Sequence, residues 1–242
     1  AIVVIMGIER VEAKQGEFVS TAVEWLVKHI NQFIKEDGDC LLGLSGGGTP
    51  LPVYEALGKR TDVDWTKVKL FMVDERHVPD NHKDSNLRAV HETLLAPGLI
   101  PAANLFFPKV NIAYEECLAD YDKVIKEMIA GSSKKRVSIS ILGLGEDGHF
   151  ASLFPASPAA LVEAAFDPSK AVIGTTTDVF AVHNRITTTY PILVNAASSV
   201  FLLKGKSKVD VFEHTVSAPE DHTRWPARPV VEKSHTTALY EL

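Results

Sequence analysis

Three short apolar runs, Cys40–Leu44, 68–73 and 137–142, each break off into a tight cluster of glycine or charge. The clusters are Ser45-Gly46-Gly47-Gly48-Thr49-Pro50, Asp74-Glu75-Arg76 and Gly143-Leu144-Gly145-Glu146-Asp147-Gly148-His149. Helical periodicities alternate with the runs. Residues 18–36 put Val19, Ala22, Val23, Leu26, Ile30 and Ile34 on one stripe, Tyr114–Ala130 does so with Cys117, Leu118, Tyr121, Val124, Ile125 and Met128, and 85–95 reads as a shorter helix. Val53, Tyr54 and Leu57 resume a helical step after the first cluster, with Thr49 placed as N-cap and Pro50 as first helical residue. Later strands are expected at 171–175 and 200–203. Such alternation builds parallel β-α units, so the expected class is α/β, a mostly parallel sheet with helices on both faces. Ligands of these sheets bind beyond the carboxyl ends of the strands, which is where all three clusters fall.

The chain has 242 residues, no internal repeat and no low-complexity tract, and is expected to form a single domain over 1–242. Twenty-five Lys and Arg against 31 Asp and Glu leave a net charge of −6, which disfavours nucleic acid as a partner. An anionic ligand then needs a locally built site of backbone N–H groups and a few Arg or Lys. Cys40 and Cys117 show neither a disulfide framework nor zinc-ligand spacing, which fits a reducing compartment. The apolar opening at 1–8 is interrupted by Gly7, followed by Glu9 and Arg10, and too short to span a bilayer. A cytoplasmic protein with no membrane partner is expected.

Each cluster has a chemical and a plainer reading. The glycine turn at 45–49 offers unhindered N–H groups for a phosphate, or serves as a tight turn that needs positive φ. Gly43-Leu44-Ser45-Gly46-Gly47 also matches the nucleophile elbow of α/β-hydrolases, with Ser45 as nucleophile, although no HGGG-type segment precedes it. In 143–149 two carboxylates and an imidazole lie within four residues, so His149 is a candidate general base and Asp147 the carboxylate that orients it. The plainer reading is a solvated loop. No further ligands accompany it, so no metal is assigned. Asp74-Glu75-Arg76 reads as a strand end meeting solvent, or as an acid and an arginine facing the same crevice as His149.

Taken in order, the blocks resemble the 6-phosphogluconolactonase family, sisters of the glucosamine-6-phosphate isomerase/deaminases. The matching segments are Leu44 to Pro50, Val73-Asp74-Glu75-Arg76, Gly143 through His149 continuing as Phe150-Ala151-Ser152-Leu153-Phe154-Pro155, Arg185-Ile186-Thr187 and a weaker Gly205-Lys206-Ser207-Lys208. The resemblance implies a Rossmann-like three-layer sandwich. It also implies cofactor-free hydrolysis of a phosphorylated sugar lactone, 6-phospho-D-glucono-1,5-lactone, in the oxidative pentose phosphate pathway. By position in the motifs, His149 takes the general base's place and Asp147 that of the carboxylate before it. Ser45, Gly46 and Gly47 match the phosphate-side loop. Asp74 and Arg76 fall in the substrate site, and Arg185 and Lys208 match basic positions facing the phosphate, with Lys206 as the other candidate lysine.

Gly48 stands where the family commonly has serine, Phe150 where it has threonine, and His183-Asn184 replaces a proline-rich lead. The deaminase sisters usually carry Asp-Glu-Tyr in the second block and a Gly-His-Ile-Ala-Phe-Asn-Glu-Pro run in the third. Arg76 and Phe154 before Pro155 favour the lactonases instead. A non-catalytic sugar-phosphate sensor is expected to have lost Asp147 or His149, and both are present.

Overall fold

The computed structural model describes residues 7–218 and 221–242, so most of the apolar opening at 1–8 lies outside the described residues. In chain order the elements are β1 (Ile8–Glu12), α1 (Phe18–Asp37), β2 (Cys40–Leu44), α2 (Leu51–Leu57), β3 (Val68–Met72), β4 (Asp74–Arg76), α3 (Asn86–Glu92), β5 (Leu105–Phe106) and α4 (Tyr114–Ala130). They continue with β6 (Ile139–Leu142), α5 (Ala159–Phe166), β7 (Val172–Thr176), β8 (Asn184–Thr188), α6 (Tyr190–Val194), β9 (Ser198–Lys204), α7 (Lys206–Ser217), α8 (Arg228–Lys233) and β10 (His235–Glu241).

Seven strands form one sheet in the order β1-β10-β9-β6-β2-β3-β5, and every pairing within it is parallel. All five residues of β2 and all four of β6 are buried. Successive side chains of a strand point to opposite faces, so this burial means that both faces are covered, as the α/β class requires. Helix α1 buries Ala22, Val23, Leu26 and Ile30, four of the six residues of its predicted stripe. It stops at Gly38, whose φ of 85° and N–H bond to the Ile34 carbonyl make a left-handed cap. Leu26, Leu42 and Ile141 are fully buried, and truncating any of them to alanine is expected to cost about 2–5 kcal/mol.

Three expectations are corrected. The run at 171–175 forms a strand, β7, but outside the parallel sheet: it joins β8 and β4 in a separate antiparallel sheet ordered β4-β8-β7. Helix α2 begins at Leu51, and Thr49 does not cap it. Pro50 is the cap residue at φ −78° and ψ −19°, no side chain bonds the first turn, and Pro52 sits inside it, where a missing N–H costs nothing. The triplet at 74–76 does not dissolve into solvent. It is strand β4, with Asp74 7% and Glu75 0% exposed, because α3 and β8 cover it.

The strand order positions the site. After β2 the chain adds β3 and β5 on one side, then crosses back to place β6 on the other. The loops leaving β2 and β6 therefore diverge from neighbouring strand ends, which opens a crevice between them.

Candidate active site

A cavity of about 350 Å³ occupies that crevice, large enough for a sugar phosphate. Its lining includes Ser45, Gly46, Gly47 and Gly48 after β2, Asp74 and Arg76 of β4, Gly145, Glu146 and His149 after β6, Arg185 of β8 and Lys208 of α7. Every site residue expected from the sequence borders this space except Asp147, which reaches it through His149, and the alternative lysine Lys206.

The Gly-rich turn differs in detail from its sequence reading. The Ser45 N–H donates to the Tyr54 hydroxyl at 3.0 Å and its Oγ–H donates to the Ile141 carbonyl at 2.6 Å. Ser45 is thus tied into the fold. Among the described residues, the N–H groups of Gly46, Gly47 and Gly48 have no internal acceptor, so these three remain for a ligand. Gly47 adopts φ 92°, which glycine alone takes without strain. At Gly46 a Cβ would overlap the Asn86 side chain, which is buried and donates from Nδ2 to the Asp74 carbonyl at 3.2 Å.

The loop after β6 folds tightly on itself. The Gly145 N–H donates to the His149 carbonyl at 2.8 Å and the Gly148 N–H to the Gly145 carbonyl at 2.9 Å. A side chain at Gly145 would overlap both His149 and Asp147, so glycine lets that pair lie against the backbone. His149 Nδ1–H donates to Asp147 Oδ1 at 2.5 Å, and the same oxygen accepts the His149 N–H at 3.0 Å. An ionised carboxylate only accepts, so this bond puts the ring proton on Nδ1 and leaves Nε2 of the neutral imidazole as a proton acceptor. The imidazole is not sealed off: its side chain is 21% exposed. Phe154 and Phe180 flank it at ring-centroid distances of 5.0 and 4.8 Å.

Three cations converge on the cavity. Arg76 donates from Nη1 to the Asp84 carbonyl at 2.9 Å. Arg185 donates from Nε to the Val182 carbonyl at 2.9 Å and from Nη2 to the Ala181 carbonyl at 2.8 Å. Burial first, then the neighbouring Arg76 charge, holds the Arg185 pKa below its ordinary value, while Asp74 and Glu75 act in the opposite sense. Lys208 donates to the Leu144 carbonyl at 2.6 Å, with Glu146 3.8 Å away. Lys206 instead pairs with Asp210 at 2.8 Å in solvent and does not line the cavity. Asp74 accepts from the Ser152 hydroxyl at 2.7 Å.

Four contributors were not assigned to the site from the sequence, although one of them, Glu75, stands in the second cluster. Glu75 accepts the N–H groups of Asn86, Leu87 and Arg76 at 2.7–2.9 Å, so its carboxylate caps α3 and fixes Asn86 in the cavity wall. Phe180 comes from the connection between β7 and β8. Arg224, stacked 3.9 Å from the Trp225 ring centroid, donates to the Asp147 carbonyl at 2.8 Å and braces the His149 loop from a segment without a readable motif. Of the other three, only Asn86 carried a signal, as the residue after a Ser N-cap, and that signal concerns the helix rather than the site.

Among the described residues no helix is long and apolar enough to cross a membrane. Cys40 and Cys117 are both buried and free. A family model described as glucosamine-6-phosphate isomerases/6-phosphogluconolactonase matches residues 13–239. The chain is 33% identical over 228 residues to a probable 6-phosphogluconolactonase of Dictyostelium discoideum, covering 94% of each. It is 31% identical over 252 residues to a bifunctional glucose-6-phosphate 1-dehydrogenase/6-phosphogluconolactonase of Plasmodium falciparum, covering 91% of this chain and 28% of that protein. A solved 6-phosphogluconolactonase from Plasmodium vivax superimposes with a TM-score of 0.86 at 28% identity, covering 98% of this chain and 91% of that one. With likeness in sequence and in fold over nearly its whole length, the chain belongs to the glucosamine-6-phosphate isomerase/6-phosphogluconolactonase family.

Proposed function

We propose that the protein hydrolyses 6-phospho-D-glucono-1,5-lactone to 6-phosphogluconate in the oxidative pentose phosphate pathway, with His149 as general base. The observation that carries the reading is the His149–Asp147 pair, 2.5 Å apart, opening on a cavity that also holds Arg76, Arg185 and Lys208. The cations and the N–H groups of Gly46, Gly47 and Gly48 bind the phosphate, and Asp74 accepts from a sugar hydroxyl. A water molecule attacks the lactone carbonyl carbon while Nε2 takes its proton. Collapse of the tetrahedral adduct breaks the bond to the ring oxygen, which receives that proton from the imidazolium. Asp147 stabilises the imidazolium and keeps the tautomer fixed. A lactone is an activated ester, so no covalent enzyme intermediate is needed. A positioned base contributes ~10²–10⁴-fold.

We also read residues 1–242 as one catalytic domain, since β1 from the start of the chain and β10 from its end both join the central sheet. Two free buried thiols suit a reducing cytoplasm. The test is a dehydrogenase-coupled assay on freshly made lactone: turnover above the enzyme-free blank is expected, and its absence overturns the reading.

A further inference from the structure

We propose that Phe180 is a substrate-positioning residue, offering a flat apolar face to the sugar ring beside His149, and that Arg185 holds it in place. The inference rests on the lactonase reading. Phe180 lies on the strap between Thr176 and Asn184, the ends of β7 and β8. The Thr177 N–H closes its base on the His183 carbonyl at 3.0 Å. Near its end Val182 has φ 67°, a left-handed conformation that a β-branched residue takes only when its surroundings impose it. Arg185 is what imposes it, bonding the Ala181 and Val182 carbonyls from one guanidinium. Those bonds follow directly after Phe180 in the chain, and they set where its ring goes.

The ring goes to the cavity. It stacks on Phe154 at 6.0 Å and 25° and lies 4.8 Å from the His149 imidazole. Phe180 keeps 38% of its surface exposed and borders the cavity, whereas its neighbour Val179 is 83% exposed and does not. An aromatic side chain held at such exposure adds little to the core, yet it suits the C–H face of a sugar ring. A guanidinium has five donors. Arg185 uses Nε and Nη2 on the strap, and its remaining donors stay available to the phosphate. The residue that reads the phosphate charge thus also seats the ring that aligns the lactone with His149.

The experiment uses the full chain and four variants: Phe180→Ala, Phe180→Tyr, Arg185→Lys and the Phe180→Ala/Arg185→Lys double. Phe180→Ala is expected to lower kcat/KM on the lactone about tenfold while the melting temperature and the affinity for inorganic phosphate hold. Phe180→Tyr, which keeps the flat ring, should restore activity. Arg185→Lys keeps the charge but cannot grip two carbonyls, so adding Phe180→Ala to it should cost little more. A parent that turns over lactone alongside a Phe180→Ala variant of parental kcat/KM overturns the inference alone. So does full additivity in the double variant, or a loss of phosphate affinity matching the loss of kcat/KM. A parent without lactone turnover overturns the lactonase reading and this inference with it.

Discussion

Arg76 and Arg185 stand directly opposite each other across the antiparallel pairing of β4 and β8. Like charges at opposed positions of a strand pair repel, and burial makes the repulsion harder to screen. The fold tolerates it because carbonyls of Asp84, Val182 and Ala181 accept from the two side chains and the carboxylates of Asp74 and Glu75 lie close by. An anion between the two arginines would relieve the remainder, and on the proposed lactonase function this pair is where the phosphate binds.

Arg185→Ala is therefore expected to weaken binding of 6-phosphogluconate by about 10–100-fold, the equivalent of one charge-assisted contact at ~1.5–3 kcal/mol. Isothermal calorimetry reads the affinity and circular dichroism the fold. Parental affinity in a folded variant would remove Arg185 from the phosphate site.

His149→Asn retains a polar group of similar reach but supplies no proton acceptor where Nε2 stood. Lactone turnover should fall ~10²–10⁴-fold with KM little changed. Spontaneous hydrolysis is measured in the same cuvette series. A folded variant that stays near parental turnover above that blank would sink the mechanism.

Ser45→Ala should leave at least a large part of the activity, and a fluorophosphonate probe should not label the parent at this residue. The hydroxyl already donates to the Ile141 carbonyl at 2.6 Å, and its backbone is locked to Tyr54 on both sides, N–H and carbonyl. Mass spectrometry of the probe-treated protein decides: a phosphonyl adduct on Ser45 would replace the general-base mechanism with a nucleophilic one.

Glu75 makes folding stability depend on pH. Burial pushes its carboxyl up from an ordinary 4.5 to about 7, against the pull of the Asn86, Arg76 and Leu87 N–H groups. The folded state holds this proton more tightly than the unfolded chain does. Its contribution is thus fully present below about 4.5, fades as pH rises, and is lost through about 7. At ~1.4 kcal/mol per pKa unit, the whole swing is no more than about 3.5 kcal/mol. Chemical denaturation of the parent between pH 5 and 8 should show that loss, and Glu75→Gln should flatten it. Parallel curves for the two proteins would mean that Glu75 ionises normally.

Local pattern carried the elements whose stabilising contacts repeat along the chain. The stripe of α1, the whole of α4 and the five residues of β2 were legible because helix and strand periodicities place one side chain relative to its near neighbours. The glycine and histidine clusters were legible too, since each directly follows a short apolar run. Distant partners were not. Asp74-Glu75-Arg76 reads as a solvated end because the triplet offers its buried carboxylate only the Arg76 N–H, and the other donors open α3, 11 and 12 residues later. The antiparallel sheet that opposes Arg76 to Arg185 is chosen by packing across more than a hundred residues. Arg224 reaches Asp147 across 77. Sequence alone thus determined which groups the site has to work with; only the tertiary fold decided which of them stay free, because a hydrogen bond made elsewhere in the molecule withdraws a donor from the ligand.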